Sequence, residues 1–346
     1  MQISAPGPKA RLADVAAQAG VSEATVSRVL NGKPGVGPDT RRAVLTALDV
    51  LGYERPSQLR TKSAGLVGLV VPELENPIFP AFAQAVESLL SQRGYTSVLC
   101  TQTPGGVTED EYVDMLRARG VSGIIFISGL HADSSVDHSR YRRLVDQGLP
   151  IVMVNGFSDA FPAPFVSTDD AGAMSLAVTH LAALGHRRIG LAIGPTRYVV
   201  AQRKVDGFVT AMRDKVGVRD AEAEGFVARS MFTVEGGHAA AVRLLEDAGV
   251  TAVVCGSDLI ALGVVRAVRA RGGQVPDTVS VVGFDDSPLI SYTDPPLTTV
   301  RQPVAAMSQA AVRALADEIA GDAYPKGEYL FAPELIVRGS TSAAPR

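Results

Sequence analysis

Cysteine is nearly absent: Cys100 and Cys255 stand alone, far apart, each at the end of an apolar run. Two such thiols exclude a disulfide framework and a cysteine-based zinc site, and read as buried free side chains. Long hydrophobic runs are missing too. The longest, "GLVGLVV" and "GIIFISG", fall well short of the ~20 residues that span a bilayer. The opening "MQISAPGPKARLADVAAQAG" carries no apolar core of a secretory signal, so a cytoplasmic location is expected. No GxGxxG leads from a strand into a helix, and no phosphate-binding lysine loop occurs. The five histidines, His131, His138, His180, His186 and His238, show no metal-ligand spacing. Neither a cofactor nor a metal is expected, and there is no low-complexity tract.

What remains is a 346-residue chain, 46% hydrophobic and 20% charged, too long for one ordinary core. Its charge is unevenly placed. Residues 1–63 carry nine basic and five acidic side chains, net +4, so the overall −3 leaves −7 for the rest. A basic head on an acidic body points to a polyanionic partner for the head.

The head reads as three short helices. Leu12, Val15, Ala16 and Ala19 follow helical spacing up to Gly20, a residue free to take positive φ. In "VSEATVSRVLNG", residues 21–32, Ser22 is placed to cap a second helix whose Val26, Val29 and Leu30 point inward. A third begins with Pro38 in "GPDT" and runs through Val44, Leu48 and Leu51 to Gly52. Helix, short turn, helix with Ala16, Gly20 and Val26 at these positions is helix-turn-helix spacing. Burial of the valines leaves Glu23, Ala24, Thr25, Ser27, Arg28 and Asn31 outward, a short-side-chain face able to enter a major groove. Arg28 has the geometry to pair bidentately with guanine, while hydroxyls and amides suit phosphate oxygens.

"ERPSQLRTKS" has little to bury and reads as a linker. From Ala64 onward, apolar strands ("LVGLVV", "TSVLC", "GIIFIS", "PIVMVN", "RIGLAIG", "AVVCGS", "VSVVGFD") alternate with amphipathic helices such as "FPAFAQAVESLLSQRG". That alternation specifies an α/β body with parallel sheets, and the number of units predicts two lobes. Polar residues gather where strands end: Glu73 and Asn76, Ser128, Asn155, Ser257 and Asp258, Asp285 and Asp286. Carboxyl ends of parallel strands line ligand crevices, so these groups are expected on facing walls. Asp285 and Asp286 are adjacent on a strand and point apart, which argues against joint acid–base work and against an enzyme.

"LADVAAQAGVSEATVSRVLNG", "VGPDTRRAVLTALDVLGY", "VPELENPIFP", "LAALGHRRIGLAIG", "VVGFDDSPLISYTDPPLTTVRQP" and "ELIVRGST" together resemble the LacI/GalR family of sugar-responsive transcription regulators over nearly the whole chain. The resemblance implies a small all-α helix-turn-helix head, a hinge, and a two-lobed periplasmic-binding-protein-like (type I) sensor. The corresponding divisions are 1–54, 55–63 and 64–340, with a first lobe of about 64–164 plus 298–324 and a second of about 165–297 plus 325–340. It implies that Ser22, Thr25, Ser27, Asn31, Thr40 and Arg41 position the DNA backbone and that Glu23, Ala24 and Arg28 face bases. Glu23 would accept from a cytosine amino group and Ala24 touch a thymine methyl, although Glu23 would also favour the helix amino end through the dipole alone.

It further implies effector contacts at Asn76, Phe79, Asn155, Lys204, Phe232, Ser257 and Asp285, to which strand ends add Ser128 and Asp258. Phe232 would be the platform for a ring, although Phe79 and Phe232 equally suit simple lobe packing. Lys204 stands where the family usually has arginine, and neighbouring Arg203 is the candidate to replace its clamp. The hinge departs from the family's Tyr-x-Pro-Asn and Ala-Arg-x-Leu pattern. Pro56 comes one residue late, the stretch is about three residues short, and Leu59 is the candidate minor-groove wedge.

"GYERPSQLR", "CTQTPGG" and "SGLHAD" resemble maltose-type repressors of high-GC Gram-positive bacteria, which makes a sugar the expected effector. A purine, a partner protein in place of a sugar, and a sugar-binding protein without DNA affinity stand as alternatives. Two heads on one two-fold axis would read a pseudo-palindromic operator, so a homodimer is expected. The short "TSAAPR" after "ELIVRGS" offers no tetramerising helix.

Overall fold

The computed structural model describes residues 10–31, 33–53, 64–102, 105–322 and 324–345. The chain divides into two compact units, 1–64 and 65–346.

In the head, α1 (Leu12–Ala19), α2 (Glu23–Leu30) and α3 (Pro38–Val50) pack around Val15, Ala16, Val26, Val29, Val44 and Ala47. Gly20 ends α1 at φ 65°, where a side chain would be strained, and its N–H bonds back to the α1 carbonyls. Ser22 Oγ accepts from Thr25 N at 3.2 Å, the expected amino-terminal cap of α2. Pro38 opens α3, where its missing N–H costs nothing.

The body begins with β1 (Gly65–Val71), α4 (Ile78–Gln92), β2 (Tyr95–Thr101), α5 (Glu109–Ala118), β3 (Gly123–Ile127), α6 (Ser139–Asp146), β4 (Ile151–Val154) and β5 (Pro164–Thr168). It continues through α7 (Asp170–Ala183), β6 (Ile189–Ile193), α8 (Val199–Ala211), α9 (Asp220–Gly225), β7 (Val227–Arg229) and α10 (Val234–Glu246). Then come β8 (Ala252–Cys255), α11 (Asp258–Ala270), β9 (Ser280–Asp285), β10 (Thr298–Arg301), α12 (Val304–Ala320), β11 (Gly327–Phe331) and β12 (Glu334–Ile336). Two six-stranded sheets result, ordered β11-β5-β4-β3-β1-β2 and β12-β10-β9-β8-β6-β7. All pairings are parallel except β10 with β12.

In the first lobe, Leu69 stands between Leu99 and Ile125 in register, and α4 and α12 cover one face of the sheet while α5 and α6 cover the other. That double cover is why its strands read as unbroken apolar runs. A single large core, including Ile189, Phe208, Val254 and Val281, fills the second lobe. Cys100 and Cys255 are buried free thiols, and burial raises both thiol pKa values.

The expected lobe boundaries require correction. β5, at 164–168, pairs with β4 and β11 and so belongs to the first lobe; β10, at 298–301, pairs with β9 in the second. β11, at 327–331, returns to the first lobe. The chain crosses between lobes only after completing a strand, near 169, 302 and 332. The expected crossovers fall before "FVST", "TTVR" and "PKGEYLF" because serine, threonine, arginine and glutamate interrupt the apolar runs by which the other strands are recognised.

Candidate functional site

The head presents a short exposed surface on α2. Glu23, Ala24 and Arg28 are exposed, while Thr25 and Ser27 are half-buried. Several polar groups there are already engaged. Ser22 and Thr25 hydroxyls lie 2.9 Å apart, and Asn31 Nδ2 donates to Ser27 O at 2.7 Å, closing the carboxyl end of the helix. Thr40 and Arg41, both half-buried, sit in the first turn of α3. Leu59 lies outside the described residues.

A cavity of about 320 Å³ separates the two lobes of the body. Asn76, Phe79, Ser128 and Asn155 line it from the first lobe; Lys204, Phe232, Ser257 and Asp285 line it from the second. Their positions follow from strand order. Asn155 and Ser128 end β4 and β3, Asp285 ends β9, and Ser257 caps α11, accepting from Ile260 N at 3.3 Å. Ser128, Asn155 and Asp285 hold positive φ of 46°, 58° and 118°, a backbone cost that a packed, functional rim tolerates.

A glutamine that the sequence reading did not single out ties these groups together. Gln302, at the crossover between β10 and α12, donates through Nε2 to Asp285 Oδ1 at 2.7 Å. Its Oε1 accepts from Asn155 Nδ2 at 3.2 Å and from Thr168 Oγ1 at 2.8 Å. One side chain thus joins both lobes where the chain passes between them. Burial pushes the Asp285 carboxyl well above its ordinary range, and the buried Asp258 nearby pushes it further.

Lys204 is also engaged. Its Nζ lies 2.5 Å from Asp170 Oδ1 and 4.0 Å from the centre of the Phe284 ring, leaving donors for a ligand but no bidentate clamp. The Asp170 carboxyl is raised by burial, against which the Lys204 charge works. Phe232 lies so close over Gly194 that a Cβ there would meet the ring at 2.2 Å, and its centroid is 6.2 Å from that of Tyr198. Phe232, Tyr198 and Met231 from the second lobe and Phe79 from the first add apolar surface to the cavity lining.

Two expected contacts fall elsewhere. Arg203, on the helical position after which Lys204 turns inward, forms a bidentate pair with Glu328 of β11, at 2.6 and 2.9 Å, and does not line the cavity. Asp258 is turned away as well: its carboxylate accepts from Ser287 N and Thr299 Oγ1, both at 2.7 Å, and so holds strand ends together. Burial raises its pKa to about 6. Asp286 pairs with Arg301 and Arg338, opposite in direction to Asp285.

Asp170, Gln302, Arg197 and Tyr198 line the cavity without having been expected. The first two follow β5 and β10, whose serine, threonine and arginine residues break the apolar pattern, and the other two lie in the loop after β6. Among the described residues no group of histidine, cysteine and acidic side chains is placed to hold a metal, and no helix is long and apolar enough to cross a membrane.

Residues 11–56 match the family described as bacterial regulatory proteins, lacI family, and residues 178–341 match a periplasmic binding protein-like domain. The HTH-type transcriptional regulator MalR of Streptomyces coelicolor is 63% identical over 336 residues, 97% of each chain. Among solved structures, the transcriptional regulator CelR–cellobiose complex is 32% identical, covering 96% of this chain and 100% of that one, with a TM-score of 0.69. The lac repressor dimer bound to operator and an anti-inducer is 28% identical, covering 97% and 100%, with a TM-score of 0.69. A helix-turn-helix head on a two-lobed body, matched over 97% of its length by a relative 63% identical, makes this chain a transcriptional regulator of the LacI family.

Proposed function

We propose that this regulator is a dimeric repressor of sugar-utilisation genes whose operator affinity is controlled by a small sugar, of maltose type, bound between the lobes. The observation that carries the reading is the convergence of Asn76, Asn155, Lys204 and Asp285 in one cavity with the aromatic side chains of Phe79, Tyr198 and Phe232. Alternating donors and acceptors suit the hydroxyls of a sugar ring, and the aromatics suit its flat apolar face. The relative solved with cellobiose supports a disaccharide-sized effector, and the lac repressor dimer on its operator supports two heads reading a pseudo-palindrome.

On the DNA side, Glu23, Ala24 and Arg28 read base edges. Ser22, Thr25, Ser27, Asn31, Thr40 and Arg41 contact the backbone, several of them while also capping helices. The sugar acts by favouring one arrangement of the lobes over another. It shifts the equilibrium only by its differential affinity for the two, typically ~1–3 kcal/mol.

The test is selection of binding sites from random duplex DNA by the full chain at physiological salt, where phosphate attraction alone does not dominate. An enriched pseudo-palindrome is expected, with Glu23→Ala relaxing preference at one position of each half-site. An unchanged preference in that variant would remove Glu23 from base reading, and no enrichment with or without maltose would overturn the proposal.

A further inference from the structure

The polar lining of the first-lobe wall continues to the edge of its sheet. In the order β4-β3-β1-β2, Asn155 follows β4, Ser128 follows β3, Glu73 follows β1 and Gln102 follows the edge strand β2. Gln102 is half-buried and lines the cavity. Its amide is engaged through one atom only. Nε2 donates to Glu109 Oε2 at 3.4 Å, and among the described residues no group donates to Oε1.

Glu109 opens α5 and is fully buried, although a glutamate in the first turn of a helix ordinarily gains from the dipole while exposed to water. Capping does not explain it. Thr108 and Glu111 close that helix end between them: Glu111 N donates to Thr108 Oγ1 at 3.3 Å, and Thr108 N to Glu111 Oε2 at 2.7 Å. The Glu109 carboxylate gathers donors from other elements instead. Tyr141 of α6 donates its hydroxyl to Oε1, while Leu130 N, in the turn after β3, donates to Oε2 at 3.0 Å beside Gln102. Burial raises the Glu109 pKa, and the Tyr141 and Leu130 bonds oppose that shift. There is no slack around the carboxylate, since a Cβ on Gly129, itself a lining residue, would meet Oε2 at 2.6 Å. Three donors on two fixed oxygens make Glu109 an acceptor. An acceptor bonds an amide through its NH₂, so Glu109 decides which end of the Gln102 amide it holds and which is left over.

We infer that Gln102 is a further effector-contacting residue, whose Oε1 accepts a hydrogen bond from a hydroxyl of the sugar in the cleft, and that Glu109 is the residue that positions it. The inference rests on the sugar reading above and adds a contact at the β2 edge of the first-lobe wall. A carbonyl held in this way discriminates between ligands. One that presents a hydroxyl satisfies it, whereas one that presents an apolar edge leaves it unpaired once water is displaced.

The experiment is calorimetric titration of maltose and cellobiose into the full chain and into Gln102→Leu, Gln102→Glu, Glu109→Gln and the Gln102→Leu/Glu109→Gln double variant, with thermal unfolding to show that each is folded. Gln102→Leu is expected to weaken sugar binding about tenfold, the scale of one hydrogen bond lost. Glu109→Gln keeps the shape of the side chain but no longer dictates which end of the Gln102 amide faces it. A loss of about threefold is expected, and the double variant should bind no more weakly than Gln102→Leu alone. That non-additivity separates positioning from scaffolding, because a fold disturbed at Glu109 would weaken both backgrounds equally. Gln102→Glu tests the same point should Glu109→Gln fail to fold: it keeps an acceptor, loses the donor that Glu109 holds, and is expected to bind as weakly as Gln102→Leu. Unchanged affinity in Gln102→Leu would overturn the contact. Equal losses from Glu109→Gln in both backgrounds, or wild-type binding by Gln102→Glu, would overturn the positioning role, and in all these cases the sugar reading stands. Absence of binding of either sugar by the wild type would overturn the sugar reading itself, and this contact with it.

Discussion

The head and the cleft solve the problem of presenting chemistry in opposite ways. On α2 the candidate contacts come from residues 22–31, displayed by one helical period over a core of small and medium side chains, Val15, Ala16, Val26, Val29, Val44 and Ala47. In the body the cavity gathers groups as far apart in the chain as Asn76 and Gln302, held by buried polar contacts between two lobes with large apolar cores. A surface of the first kind depends on a few methyl groups. The second kind depends on one or two side chains that satisfy many others.

That contrast is open to direct attack. The largest effect is expected at Gln302, because Gln302→Ala leaves Asn155, Thr168 and Asp285 without their buried partner. Unpaired groups of this kind cost ~1–3 kcal/mol each, so chemical denaturation should show the body destabilised by about 3 kcal/mol, with sugar affinity falling as well. A change near zero would mean that the network does not hold the lobes. Next comes Val26→Ala, which removes two methyl groups from a core with little to spare. A loss of about 2 kcal/mol confined to the head is expected from the cavity it leaves. In binding assays the variant should lose selected DNA while retaining its affinity for sugar, and loss of both would show the two regions to be less separable than their packing indicates. The smallest effect is expected for Ser22→Ala. Removing the cap of α2 costs ~1 kcal/mol and should weaken DNA binding several-fold without altering base preference. An altered preference would make Ser22 a reader of bases.

The same contrast explains what was legible in the sequence. The helices of the head, the Ser22 cap and the positive-φ turn at Gly20 were readable because each depends on neighbours within four residues. Strand ends at Asn76, Ser128, Asn155, Ser257 and Asp285 were readable because unbroken apolar runs stop there and parallel sheets put such ends at a crevice. Gln302 and Asp170 were not readable: both follow strands whose polar residues break the apolar pattern, and both sit where the chain crosses between lobes. Arg203 and Asp258 were misplaced for a related reason. Sequence position brought them beside Lys204 and Ser257, but the helix turned Arg203 to Glu328 and the strand ends claimed Asp258. Proximity along the chain identifies a neighbourhood, and only packing decides which side chain faces the cavity.

The central claim is that a sugar in the cleft governs what the α2 surface does. It is tested most directly by measuring the affinity of the full chain for its selected duplex at physiological salt, with and without saturating maltose. The account predicts a change of about five- to 150-fold, the span of a ~1–3 kcal/mol coupling, which Asp285→Ala abolishes. An operator affinity that stays constant while calorimetry shows maltose bound would contradict it.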